Sequence, residues 1–144
     1  MITEDYVSFE TAKLLKEKGF NEECISVYHD GELQLVSSLG IFCGEGYGEQ
    51  IFTYTNSECQ WSQIMISAPT LQMAMKWLRE VHHYYIQVML DSWACGGHLG
   101  YYVVIQKTDS DFEMMLQDAV DEVFYQTYEQ ACEDAIKYCL ENLI

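Results

Sequence analysis

Few side chains in this sequence have the type and spacing that chemistry requires. Lys76 and Arg79 stand three residues apart in Lys76-Trp-Leu-Arg79, and no other Lys or Arg occurs between Lys18 and Lys107. On a helix that spacing puts both cations on one side, one turn apart. With Lys107 and the rings of Trp77, Tyr84, Tyr85 and Tyr102 they form a set able to take an anionic, planar ligand of nucleotide type. Arg would grip phosphate bidentately while a ring stacks on the base. The plain alternative is a solvated helix face with a Lys76–Glu80 pair.

Two other constellations are weaker. Cys95 and His98 lie three apart in a glycine-rich stretch, with His82 and His83 upstream. Zinc needs three or four ligands in a closed shell, and no second Cys/His pair has ligand spacing. A Cys95 nucleophile with His98 as base would make a hydrolase, yet such pairs come from separate elements and need a third group to orient them. Gly44-Glu-Gly-Tyr-Gly48 offers backbone N–H groups for a phosphate. However, it carries Glu45, is followed by Glu49 and leads into a strand-like segment, whereas a phosphate loop opens a helix. No cofactor and no metal site is expected.

Charge sets the second theme. The 144 residues hold 7 basic and 23 acidic side chains, a net charge of −16. From Asp109 onward Asp109, Asp111, Glu113, Asp118, Asp121, Glu122, Glu129, Glu133, Asp134 and Glu141 face Lys137 alone. Such a surface repels phosphate backbones, which argues against direct nucleic-acid binding. It suits a basic partner surface, including one that normally holds nucleic acid, or it simply keeps the protein in solution.

The six cysteines include no Cys-x-x-Cys pair. The N-terminus has neither a basic nor an apolar leader region, so reduced thiols and a cytoplasmic location are expected. No run of about 18 apolar residues predicts a membrane span.

Positioning elements follow from periodicity. Ser8–Gly19 reads as a helix with Ser8 as N-cap and Gly19 as its stop. Ile25–His29 and Glu32–Val36, joined by Asp30-Gly31, read as a hairpin with a type I′ turn. Residues 37–50 are a glycine-punctuated loop. A second extended pair is expected at Gln50–Thr55 and Trp61–Ser67. In the middle, Ile64–Ser67 reads as a strand and Pro69 as the first turn of a helix. Leu71, Ala74, Met75 and Leu78 give that helix an apolar face, and Tyr84–Leu90 follows as a strand. Tyr101–Lys107 would complete a hairpin with Tyr84–Leu90 through a long, functional connection over 91–100. Residues 109–126 suggest a loop and a short helix. Thr127-Tyr-Glu-Gln130 has capping-box form and opens a helix striped by Ala131, Ala135, Ile136, Leu140 and Leu143. The expected fold is a single α+β domain spanning 1–144, a largely antiparallel sheet of about six strands with about three helices packed on it.

Tyr6–Phe20, Ala68-Pro-Thr70, Lys76–His82 and the closing Tyr128-Glu-Gln-Ala131 with Ala135-Ile136 together resemble short, uncharacterised proteins of phages and prophages of gut Bacteroidales. The likeness covers both ends and the middle, while 30–60 and 91–126 are particular to this chain. It implies a mobile-element setting, where small acidic proteins are accessory or counter-defence factors, and it brings no assigned catalytic residues. The first functional reading is therefore a non-enzymatic binding protein that occupies a basic host partner through its acidic surface. The alternatives are a sponge for a nucleotide-type anion, with a homodimer interface as one place for it, and a Cys95/His98 hydrolase.

Overall fold

In a computed structural model, residues 1–39, 53–57, 65–91, 100–116 and 124–144 are described. They form three helices and six strands in two antiparallel three-stranded sheets, an α+β fold. The chain divides into two compact units, 1–70 and 71–144. Among the described residues, no helix is long and apolar enough to cross a membrane.

The first unit is built from local signals. Helix α1, Phe9–Glu17, starts where the Ser8 hydroxyl accepts from the Thr11 N–H at 3.2 Å. It ends in a Schellman pattern, with Gly19 at φ 91°, the Gly19 N–H bonded to the Lys16 carbonyl and the Phe20 N–H to the Leu15 carbonyl. Strands β1 (Ser26–His29) and β2 (Glu32–Leu35) are joined by Asp30 and Gly31, both at positive φ, as a type I′ turn requires. A short 3₁₀ turn at Val36–Ser38 follows. Strand β3, Met65–Ser67, pairs antiparallel with β1, so the sheet order is β2-β1-β3. Val27, Val36, Tyr54 and Met65 make one buried cluster, and the Tyr28 hydroxyl reaches the Val7 carbonyl at 2.7 Å.

Two expectations are corrected in this unit. Met65–Ser67 takes β1 as its strand partner rather than 53–55, the described part of the expected strand, because Tyr54 exchanges both backbone hydrogen bonds with Cys24 and the Asn56 side chain accepts the Ser67 N–H. Pro69 lies outside the helix that follows. Its carbonyl accepts from Val7 N–H and Thr70 bridges to Tyr6, which holds the backbone extended up to Leu71. The strands flanking that helix, Met65–Ser67 and Tyr84–Asp91, belong to different sheets.

In the second unit, helix α2 (Leu71–His82) and helix α3 (Tyr128–Asn142) pack on one face of a sheet ordered β4-β5-β6. Strands β4 (Tyr84–Asp91) and β5 (Gly100–Lys107) pair over their whole length, Tyr84 opposite Lys107 and Asp91 opposite Gly100. Because side chains alternate, Ile86, Val103 and Ile105 turn to the helices and are buried, while Tyr85, Gln87, Met89, Val104 and Gln106 take the other face. Strand β6, Glu113–Leu116, stands where a loop and short helix are expected. Its backbone completes the ladder on β5, with Leu116 opposite Val103 and Glu113 opposite Gln106. Thr127 caps α3 by accepting the Gln130 N–H at 3.1 Å. The glycine loop at 44–48, the connection bearing Cys95 and His98, and the outer parts of the expected 50–55 and 61–67 strands lie outside the described residues.

Candidate functional site

Helix α2 buries Leu71, Ala74, Trp77 and Leu78, which leaves Lys76 and Arg79 on its flank with side chains 63% and 41% exposed. After α2 a single residue, His83 at φ 65°, reverses the chain into β4. Thr108 N–H donates to the His83 carbonyl at 2.7 Å and ties that reversal to β5. The two elements consequently run side by side in opposite directions. Between them lies a cleft of about 490 Å³. The helix contributes Gln72, Met75, Lys76 and Arg79, the strand contributes the consecutive run Tyr85 to Met89, and α3 contributes Tyr128.

Within the cleft Arg79 stacks toward Tyr85, its guanidinium carbon 6.0 Å from the ring centre. Both Lys76 Nζ and Arg79 Nη2 lie 3.9 Å from the same Glu80 carboxylate oxygen. Exposed pairs of that length contribute under about 1 kcal/mol, so both cations are open to an incoming anion. At the far end Gln72 Nε2 donates to the Tyr128 hydroxyl at 3.3 Å. That bond lowers the Tyr128 pKa, but partial burial together with Cys132 and Glu129 outweighs it, and the phenol is held protonated above its ordinary range. The cleft therefore offers two cations, one ring face and neutral amide and hydroxyl groups. That set is complementary to an anion and contains no nucleophile–base pair.

The remaining residues expected to bind ligand are placed elsewhere. Trp77 is 6% exposed and packs edge-on against His82 at 4.5 Å, so it belongs to the core. Tyr84 is also buried and donates its hydroxyl to the Leu143 carbonyl at 3.2 Å. Tyr102 sits on the outer sheet face against Phe124. Lys107 pairs with Asp109 at 3.6 Å and lines a second cleft of about 360 Å³ with Asp111, Phe112 and Glu113. Of the seven, Lys76, Arg79 and Tyr85 share the first cleft, and Tyr85 also borders the second.

Asp109, Asp111 and Glu113 are exposed at the β5–β6 turn. There Glu113 accepts from Gln106 Nε2 at 2.6 Å, and Gln106 in turn accepts from Gln87 Nε2. Glu129 is exposed on the first turn of α3, and Glu133 and Asp134 are half-buried one turn on. Asp118, Asp121 and Glu122 lie outside the described residues. Cys24, Cys132 and Cys139 are free thiols. Burial pushes Cys24 and Cys139 up to about 12 and Cys132 to about 11, which makes all three poor nucleophiles. Among the described residues no three His, Cys, Asp or Glu side chains gather as a metal shell would.

Gln72, Met75, Ile86, Gln87, Val88, Met89 and Tyr128 complete the first cleft, and residue type alone does not single them out. The signal that finds them is the strand itself, since five consecutive β4 residues line one groove.

Compared with family models, with curated proteins and with solved structures, the chain matches none of them.

Proposed function

We propose that this protein is a non-enzymatic binding module whose α2–β4 cleft recognises an anionic ligand. The observation that carries the reading is the convergence of Lys76, Arg79 and Tyr85 on one cleft, in a chain with only seven basic residues and a net charge of −16. A carboxylate or phosphate placed there meets a bidentate guanidinium, an ammonium one turn away and an aromatic face. The planar, nucleotide-type ligand draws on only one of the expected rings, Tyr85, because Trp77 and Tyr84 are spent on the core. The resemblance to phage and prophage proteins supports a cytoplasmic, accessory or counter-defence setting for such a module.

Thermal unfolding in the presence of pyrophosphate, ATP and a glutamate-rich peptide tests it. At least one of these anions should raise the melting temperature of the wild-type protein, and Arg79→Ala should abolish that shift. An unchanged melting temperature with all three dismisses the reading.

A second reading rests on the exposed Asp109, Asp111 and Glu113 at one end of the sheet. There the acidic surface occupies a basic partner in place of nucleic acid. Such binding weakens steeply as salt rises, and a complex insensitive to ionic strength rules it out.

A further inference from the structure

β4 has a strand partner on one side only among the described residues, and hydrogen-bond parity shows which of its backbone groups face away from that partner. Tyr101 exchanges both backbone bonds with Tyr125, and Lys107 N–H bonds to the Phe112 carbonyl, so the odd-numbered residues of β5 point toward β6. Thr108 N–H bonds to His83 instead, which fixes the even-numbered positions as those pointing toward β4. By the register, Tyr85, Gln87 and Met89 therefore spend their N–H and C=O groups on Gln106, Val104 and Tyr102. Ile86 and Val88 point theirs the other way, into the α2–β4 cleft that both of them line.

The cleft thus holds a row of main-chain donors and acceptors beside a row of cations. We propose that it binds an extended acidic peptide segment of a partner protein as an added strand on β4. The proposal rests on the anion reading above and names its ligand class. A strand laid on Ile86 and Val88 satisfies their backbone groups. Its alternate side chains, about 6.7 Å apart, turn toward α2, where Lys76 and Arg79 are separated by about 4.5 Å along the helix axis. Acids at those alternate positions complement both cations. The intervening side chains lie over the outer face, beside the exposed Tyr85 and Met89, and suit apolar residues. A small anion uses the cations alone and leaves the strand edge bare.

The probe is an acetylated, amidated peptide of alternating glutamate and valine, measured by calorimetry against the same peptide N-methylated on the amides that would face β4. The N-methylated peptide should bind at least tenfold more weakly at unchanged charge. Val88→Pro removes an N–H that β5 does not use. It should bind the unmethylated peptide at least tenfold more weakly than the wild-type protein does. If Val88→Pro does not fold, the N-methylated peptide alone decides. Equal binding of the two peptides overturns strand addition and leaves anion recognition standing. So does binding of pyrophosphate or ATP with none of either peptide. A concentration-dependent dimer that Val88→Pro dissolves, in a protein that ignores the peptide, overturns it in favour of a second copy on the edge. No response to any anion brings down both readings together.

Discussion

The guanidinium carbon of Arg79 stands 6.0 Å from the centre of the Tyr85 ring, joining the last turn of α2 to the first outward-facing position of β4. The guanidinium lies over the ring, while the Arg79 side chain as a whole stays 41% exposed. A cation held this way loses less freedom on binding than one on an unsupported stem.

Arg79→Lys should therefore lower anion affinity although the charge is kept, by roughly three- to tenfold, because an ammonium neither forks nor stacks as a guanidinium does. Tyr85→Leu should lower it by a smaller factor. Calorimetric titration with pyrophosphate ranks the variants, and equal affinity for wild type and Arg79→Lys refutes the bidentate geometry.

Glu80 competes with any ligand for both cations, its carboxylate oxygen lying 3.9 Å from each. Glu80→Gln should tighten pyrophosphate binding roughly two- to fivefold and change stability by less than about 1 kcal/mol, the worth of exposed pairs. The same titration, with a urea melt beside it, checks both numbers.

Gly100 begins β5 with its Cα against Phe124, and a methyl group there would drive into the Phe124 Cβ. Gly100→Ala should cost about 1–3 kcal/mol, the usual penalty for forcing an extra carbon into a packed site. Urea denaturation measures it. An unaltered midpoint would mean that the 124–125 segment yields freely.

Burial raises the thiols of Cys24, Cys132 and Cys139 above their unfolded value of 9.0. A raised pKa favours the folded state while the group stays protonated. Stability is complete below pH 9 and falls as pH climbs from there toward 11 to 12. Each thiol contributes a slope of about 1.4 kcal/mol per pH unit. Chemical denaturation at pH 8, 9.5 and 10.5 follows the decline. At pH 8 these three thiols should resist a disulfide reagent until urea unfolds the chain.

Much of the fold was legible because its signals are local. Ser8, Gly19, the Asp30-Gly31 turn and the Thr127 cap each act within four residues, and each stands where the sequence puts it. The pairing of Met65–Ser67 was not legible, since three buried residues carry no period and their partner is chosen by Tyr54 and Asn56 across the chain. Glu113–Leu116 was hidden for a similar reason. Four residues inside an acidic stretch become a strand only because β5 presents a ladder to them. Lys76, Arg79 and Tyr85, which residue type picks out, line one cleft together. Trp77 follows Ala74 by three residues and so lies on the same buried stripe, a spacing that places its ring in the core. The outward-facing groups of Ile86 and Val88 could not be read from residue types at all. They depend on the parity with which β5 is hydrogen-bonded on both sides.

His83 is the whole of the connection between α2 and β4. One wall of the cleft and its floor are in effect a single welded corner, with no loop whose lengthening or shortening could widen the gap. If a ligand binds at this corner, its fit is set by the side chains along the helix and the strand rather than by the length of a connecting loop.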